Sequence, residues 1–233
     1  MLPYTESTIS SFNNFLNALK ADSHGTCRFK LVQFNETYAQ TFDMSLPKCP
    51  ALTNTNYQPG GASTSLLDAQ GRAIDELGTE LRGIPESDRP GKVIFLTLTD
   101  GLENSSKHYT HGQISEMIEH QQKVYNWDFV FLGANQDAVK VGGSLNIPQY
   151  RSLTYDISSP IAYEAAFNSA AQYVNLTRSC NVTGQSTANL GFSEQDRASA
   201  IGGGTGGGGQ STTVNQSGTP TTTSPEEPAI SSR

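Results

Sequence analysis

The sequence predicts a three-layer α/β domain with a mostly parallel central sheet, followed by a structureless tail. Two apolar runs and the segments between them carry that prediction. Lys92-Val-Ile-Phe-Leu-Thr-Leu-Thr-Asp100-Gly101 shows no polar alternation until it ends in an acid and a glycine. That is the pattern of a strand buried on both faces, as in the middle of a parallel sheet. Asp128-Phe-Val-Phe-Leu-Gly133 repeats it. Helical periodicity fills the intervals, and helices alternating with apolar strands wind a parallel sheet on both faces. The 233 residues suffice for one such domain with a real core.

Taken in order, Ile9, Phe12, Leu16 and Leu19 share one helical face, with Pro3 and Thr5 upstream where helix starts tolerate them; a helix is expected over roughly residues 5–20. Arg28–Phe34 and Tyr38–Phe42 read as two strands joined by a turn at Asn35-Glu36. Residues 43–64 form a Pro-, Asn-, Thr- and Gly-rich loop, long enough to be expected functional or mobile. Leu66, Ala69, Ala73, Leu77 and Leu81 give the next helix its stripe, and Gly83 with Pro85 stops it. The strand at 92–99, expected at the centre, follows. Thr110-His-Gly-Gln113 has capping-box spacing and opens a helix lined by Ile114, Met117, Ile118 and Tyr125. After the strand 128–133, Asn135–Val141 reads as a short helix, Leu153 and Tyr155 as an edge strand, and Pro160–Leu176 as a last helix with Ile161, Ala165, Phe167 and Val174 inward. The domain is expected to span 1–177. Residues 178–233, with a glycine run at 202–209 and Ser/Thr/Pro beyond it, are expected to form a disordered tail, too poor in apolar surface to offset ordering entropy.

Composition narrows the function classes. A net charge of −7 disfavours nucleic acid and anionic membrane as partners. No apolar run approaches the length of a membrane span, and the first residues lack the pattern of a signal peptide. Cys27, Cys49 and Cys180 show no metal-ligand spacing and leave an odd thiol, which points to a reducing, cytoplasmic setting. Enzyme signatures are missing as well: the 202–209 glycines lack Gly-Lys-Ser/Thr, and no Gly-x-Gly-x-x-Gly joins a strand to a helix. A phosphatase nucleophile at Asp100 would want a carboxylate two residues on, where Leu102 stands.

The candidate site is an oxygen-only one. A carboxylate at the C-terminal end of a buried strand sits where open α/β sheets place their ligand crevice. Asp100 takes that position, and the small-residue loop Gly61-Ala-Ser63-Thr64 is expected on the same edge with a hydroxyl. Oxygen donors without thiol or imidazole suit magnesium, calcium or manganese rather than zinc. The plainer readings are that Asp100 only caps a turn with Gly101 and that Thr64 only N-caps a helix. Asp68 is expected to favour its helix N-terminus electrostatically. Glu103 and Asn104 either tune the site or belong to a solvated loop. Asn135, Gln136 and Asp137 either contact a partner or cap a helix. His108 and His111 lack companion ligands, and Trp127 reads as a packing residue.

Several stretches together resemble a von Willebrand factor A domain of the small bacterial and phage type: Thr8-Ile-Ser-Ser-Phe12-Asn13, Leu31-Val-Gln-Phe34, Gly60-Gly-Ala-Ser-Thr64-Ser-Leu-Leu-Asp68, Val93–Asp100-Gly101 with Glu103-Asn104, and Trp127–Asp137. The resemblance covers about residues 1–177 and implies a Rossmann-like fold. It also implies a metal-ion-dependent adhesion site built from an Asp-x-Ser-x-Ser loop, a threonine and a strand-end aspartate; the last two map onto Thr64 and Asp100. The Asp-x-Ser-x-Ser loop is absent here. Family members commonly read Asp-x-Ser-Gly-Ser-Met, with Thr-Ile seven residues after the methionine, and Thr8 stands seven residues after Met1. The family's first, central strand is therefore expected to be missing from this sequence, through a start codon assigned too late or through truncation. Two protein ligands would hold Mg2+, Mn2+ or Ca2+ weakly. The implied function is non-catalytic binding of a protein partner whose carboxylate completes the cation's shell, with Ser63, Glu103 and Asn135 nearby. The alternatives are a metal-free scaffold and, behind it, a hydrolase acting through Asp100.

Overall fold

The computed structural model describes residues 4–60 and 63–203. Its elements run α1 (Thr5–Ala21), β1 (Arg28–Phe34), β2 (Tyr38–Ser45), α2 (Leu66–Arg82), β3 (Ile94–Thr99), α3 (His111–Tyr125), β4 (Asp128–Ala134), α4 (Ala138–Ser144), β5 (Ser152–Tyr155), α5 (Pro160–Thr183) and α6 (Glu194–Ala200). This is a mixed α/β arrangement whose strands form two sheets: an antiparallel β1–β2 hairpin and a parallel β3–β4–β5 sheet.

Two apolar cores separate the layers. On one side Phe12, Phe15 and Leu16 of α1 meet Tyr163, Phe167 and Ala170 of α5 against Phe29, Leu31, Ile94, Leu96 and Leu98. On the other, Leu66 and Ile74 of α2 meet Ile114 and Ile118 of α3 against Phe34, Phe95, Phe129 and Phe131. Strand side chains alternate between faces, so both sheets contribute to both cores. The capping box opens α3 as its sequence predicts, Thr110 and Gln113 closing it reciprocally. Asn126, with φ of 54°, ends the helix in the left-handed region that asparagine tolerates.

Several expectations change. The 92–99 strand is not the buried centre. Within β3 only Thr97 and Thr99 are buried, whereas every residue of β4 is. β3 is an edge of its sheet, because no strand among the described residues pairs with its other side. In α2 the anchor is Ile74, 1% exposed, rather than Ala73. Tyr125 and Ile161, expected inward, are 57% and 77% exposed. Both lie at helix ends, where periodicity outruns the neighbouring layer. The long loop after β2 is pinned as far as Gln58: Gln33 of β1 donates to the Asn56 carbonyl and accepts from the Gln58 N–H, and Asn13 of α1 exchanges two hydrogen bonds with Leu52.

The segment expected to become tail at 178 continues the packed domain to 203. Arg178 extends α5 by donating to the Leu19 carbonyl at the end of α1 and pairing with Asp22 at 2.9 Å. A second capping box, Ser193 with Asp196, starts α6, and Arg197 donates to the Ser152 carbonyl of β5. Phe192 and Ala200 are buried there. These residues cover the β5 side of the sheet, a role invisible in their polar composition. The remainder of the expected tail, 204–233, lies outside the described residues. No described helix is long and apolar enough to cross a membrane.

At the N-terminal ends of the strands, Asp128 is 2% exposed and accepts from Lys92 Nζ at 2.8 Å, Arg151 Nη1 at 2.7 Å and Tyr173 Oη at 3.0 Å. A cavity of about 270 Å³ lies beside this ion cluster, at the opposite end of the strands from Asp100.

Candidate functional site

The C-terminal ends of the strands form a rim where the expected residues meet. Thr99 shapes the β3 end of it: its hydroxyl donates to the Gly101 carbonyl and accepts the Gly101 N–H, folding Asp100-Gly101 into a tight turn. The Thr64 loop is laced to the segment after that turn. Thr64 N–H donates to Asn104 Oδ1 at 2.8 Å, Asn104 N–H donates to the Thr64 carbonyl at 3.1 Å, and the Ser65 and Ser105 hydroxyls lie 2.9 Å apart. Thr64 and the Asp100-Gly101 turn touch: a Cβ added at Gly101 would come within 2.2 Å of Thr64 Oγ1. Glycine is required there by this approach rather than by its backbone angles.

Asp100 is exposed and Thr64 half-buried. Beneath the rim sits a group of tyrosines that sequence reading passed over. Tyr163 donates to the Thr8 hydroxyl at 2.9 Å, tying α5 to the start of α1. Burial pushes the Tyr57 phenol up to about 12; the Thr8 hydroxyl acts the other way, and the Asp100 charge adds to the rise. Burial raises Tyr155 and Tyr163 as well, and both feel the Asp100 carboxylate. These phenols stay neutral at physiological pH and place apolar rings with hydroxyl tips under the rim.

Glu103 corrects one expectation. It does not belong to a solvated loop. Its Oε1 accepts the N–H groups of Ser105 and Ser106, and its Oε2 accepts the Leu67 N–H and the Ser106 hydroxyl. Leu67 stands in the first turn of α2, so Glu103 caps that helix from a distant loop. Asp68 returns the arrangement, accepting the N–H groups of Lys107, His108 and Tyr109. That is a specific latch rather than only a favourable charge near a helix end. The one local signal was an acid standing two residues before a pair of serines, Glu103-Asn104-Ser105-Ser106, which resembles a side-chain turn.

Burial disfavours charge on both carboxylates, but these hydrogen bonds outweigh it and hold Glu103 and Asp68 below the ordinary carboxylate range. A depressed folded-state value means a contribution to stability that is complete above the unfolded values of about 4. It is lost as pH falls through the lower folded values. Acid titration of stability is therefore expected to fall from about pH 4 downward. The fall should be shallower in Glu103→Gln, with unfolding midpoints in urea as the readout.

Asn135 sits exposed on the same edge with φ of 49°, its N–H bonded to the Tyr155 carbonyl. Ser63 borders the rim, next to residues outside the described ones. Asp137 caps α4 through the Lys140 N–H. His108 is exposed, and His111 bonds to Ser144. Trp127 is buried and stacks on Phe129. Among the described residues no three His, Cys, Asp or Glu side chains gather to hold a metal ion. The rim supplies two oxygen donors, right in kind for a hard cation and short of the six such a cation takes.

No family model matches the chain, and no curated protein matches it. Among solved structures, proximal thread matrix protein 1 from the mussel byssus, described with a zinc-occupied MIDAS motif, is similar at 13% identity and a TM-score of 0.49. The match covers 75% of this chain and 42% of that one, so this chain spans less than half the length of the protein it resembles.

Proposed function

We propose that this chain is a non-catalytic, protein-binding module of the von Willebrand factor A type, with Thr64 and Asp100 as the protein ligands of a weakly held divalent cation. The closeness of the Thr64 hydroxyl to Gly101 supports the reading, because it sets a hard oxygen donor from one loop beside the turn that carries Asp100. When bound, Mg2+ or Mn2+ supplies a positive centre with open positions that a partner's carboxylate can fill. The chain's own residues do the rest. Thr99 holds the turn, Asn104 locks the Thr64 loop against it, and the Glu103–Asp68 latch fixes the start of α2 behind both. Ser63 and Asn135, on the same edge, are placed to touch the partner.

Titration with Mn2+ followed by NMR is expected to broaden the amides of Thr64, Asp100 and Gly101 selectively, with affinity of about 1 mM. Asp100→Ala should abolish the effect while leaving the remaining spectrum in place. Uniform or absent broadening at millimolar metal removes the cation from the reading. The competing reading is a metal-free scaffold, and that same outcome would favour it.

A further inference from the structure

The cavity at the N-terminal ends of the strands has a floor whose charges do not cancel. Lys92 and Arg151 both line it, each with 7% of its side chain exposed, and Asp128, 2% exposed, is the acid between them. Among the described residues that line the cavity no other is charged, so two positive groups face one negative. Asp128 is fully engaged: its Oδ1 takes both cations and its Oδ2 takes the Tyr173 hydroxyl. The whole chain carries −7, so a buried lining of net positive charge runs against the rest of the molecule. Between low-dielectric walls a surplus charge attracts a counter-ion more strongly than it would in open solvent.

Counting donors places the surplus on Arg151. Lys92 Nζ spends its ammonium N–H groups on the Asn126 carbonyl at 2.7 Å, Asn126 Oδ1 at 3.2 Å and Asp128 Oδ1 at 2.8 Å. A guanidinium has more to spend. Arg151 uses Nε on the Leu190 carbonyl at 3.4 Å, Nη1 on Asp128 at 2.7 Å and Nη2 on the Thr187 carbonyl at 2.9 Å. Among the described residues, that leaves one N–H on each terminal nitrogen without an acceptor. A carboxylate takes that number in its two-pronged pairing with arginine. The walls suit a flat apolar body. Trp127 and Tyr150 bring aromatic surface, while Gln185 and Ser186 stand on the exposed side. A volume of about 270 Å³ is at the small end for ligand pockets.

We infer that this cavity binds a small monocarboxylate, with its carboxylate on Arg151 and its flat apolar body against Trp127 and Tyr150. A single negative charge matches the surplus, and a phosphate dianion overshoots it. The site lies at the opposite end of the strands from the Thr64–Asp100 rim. It needs no metal and does not depend on the function proposed for that rim.

Benzoate is the probe, with benzamide as its neutral counterpart. Trp127 is the chain's one tryptophan, so its fluorescence reports on the cavity directly. In metal-free buffer, with sodium benzoate replacing sodium chloride at constant ionic strength, benzoate is expected to change that fluorescence saturably. It should bind at least about tenfold more tightly than benzamide and shift the NMR amide signals of Arg151, Ser186 and Thr187. Gln185→Glu sets a negative charge on the exposed wall and should weaken benzoate at least about threefold with benzamide unchanged. Gln185→Lys should strengthen it. Equal binding of benzoate and benzamide, benzoate binding indifferent to Gln185→Glu, or shifts gathered at Thr64 and Asp100 instead overturns the inference. So does the lack of any response up to about 20 mM benzoate.

Discussion

Replacing Asp128 with alanine is expected to destabilise the fold by about 3–5 kcal/mol. Its carboxylate is 2% exposed, and the Lys92 and Arg151 side chains that flank it are each 7% exposed. Both cations reach the same oxygen, Oδ1, while Tyr173 donates to Oδ2. Removing the acid leaves two like charges buried side by side without a counter-charge, which costs far more than the intact cluster contributes on balance. Arg151 also donates to the Thr187 and Leu190 carbonyls, so the loss propagates into the segment that covers β5. Equilibrium urea unfolding measures it. A loss below about 1 kcal/mol would mean that water reaches the cluster and screens it.

Glu103→Ala is expected to cost about 2–4 kcal/mol. Four donors lose their acceptor at once, and one of them, the Leu67 N–H, joins α2 to the loop after β3. A half-buried site lets water recover part of the loss, which keeps the figure below the sum of four charged hydrogen bonds. The same variant reaches the rim. With the latch half undone, the Thr64 loop stays against the Asp100 turn through Asn104 and the Ser65–Ser105 contact. Glu103→Ala should therefore weaken Mn2+ broadening at Thr64 although Glu103 is not itself a ligand, whereas Asp128→Ala, at the other end of the strands, should weaken it only as far as the protein unfolds. A Glu103 variant that loses stability and keeps the broadening profile would separate the latch from the rim.

Much of the local structure was legible from residue order. The Thr110–Gln113 capping box, the apolar runs of β3 and β4 and the stripe of α1 announce themselves through short-range rules of spacing and capping. Three features resisted. Glu103 reaches Leu67 and Asp68 reaches Lys107 across nearly forty residues, so neither link shows in the local sequence. The tyrosines under Asp100 come from a loop, a strand and a helix. Phe192 and Ala200 lie in a polar stretch whose burial depends on β5 needing cover.

Sequence alone determined the order of helices and strands as far as α5, the acidic character of the chain, and the presence of a strand-end carboxylate and a loop hydroxyl suited to a hard cation. Those properties follow from side-chain chemistry and from periods of a few residues. Tertiary structure alone decided that Thr64 and the Asp100 turn touch, that Glu103 is consumed in capping α2, and that β3 is an edge rather than the centre. An apolar run records only that both of its faces meet helices. Whether its backbone groups meet another strand depends on what lies beside it in space, and side-chain pattern carries no trace of that neighbour.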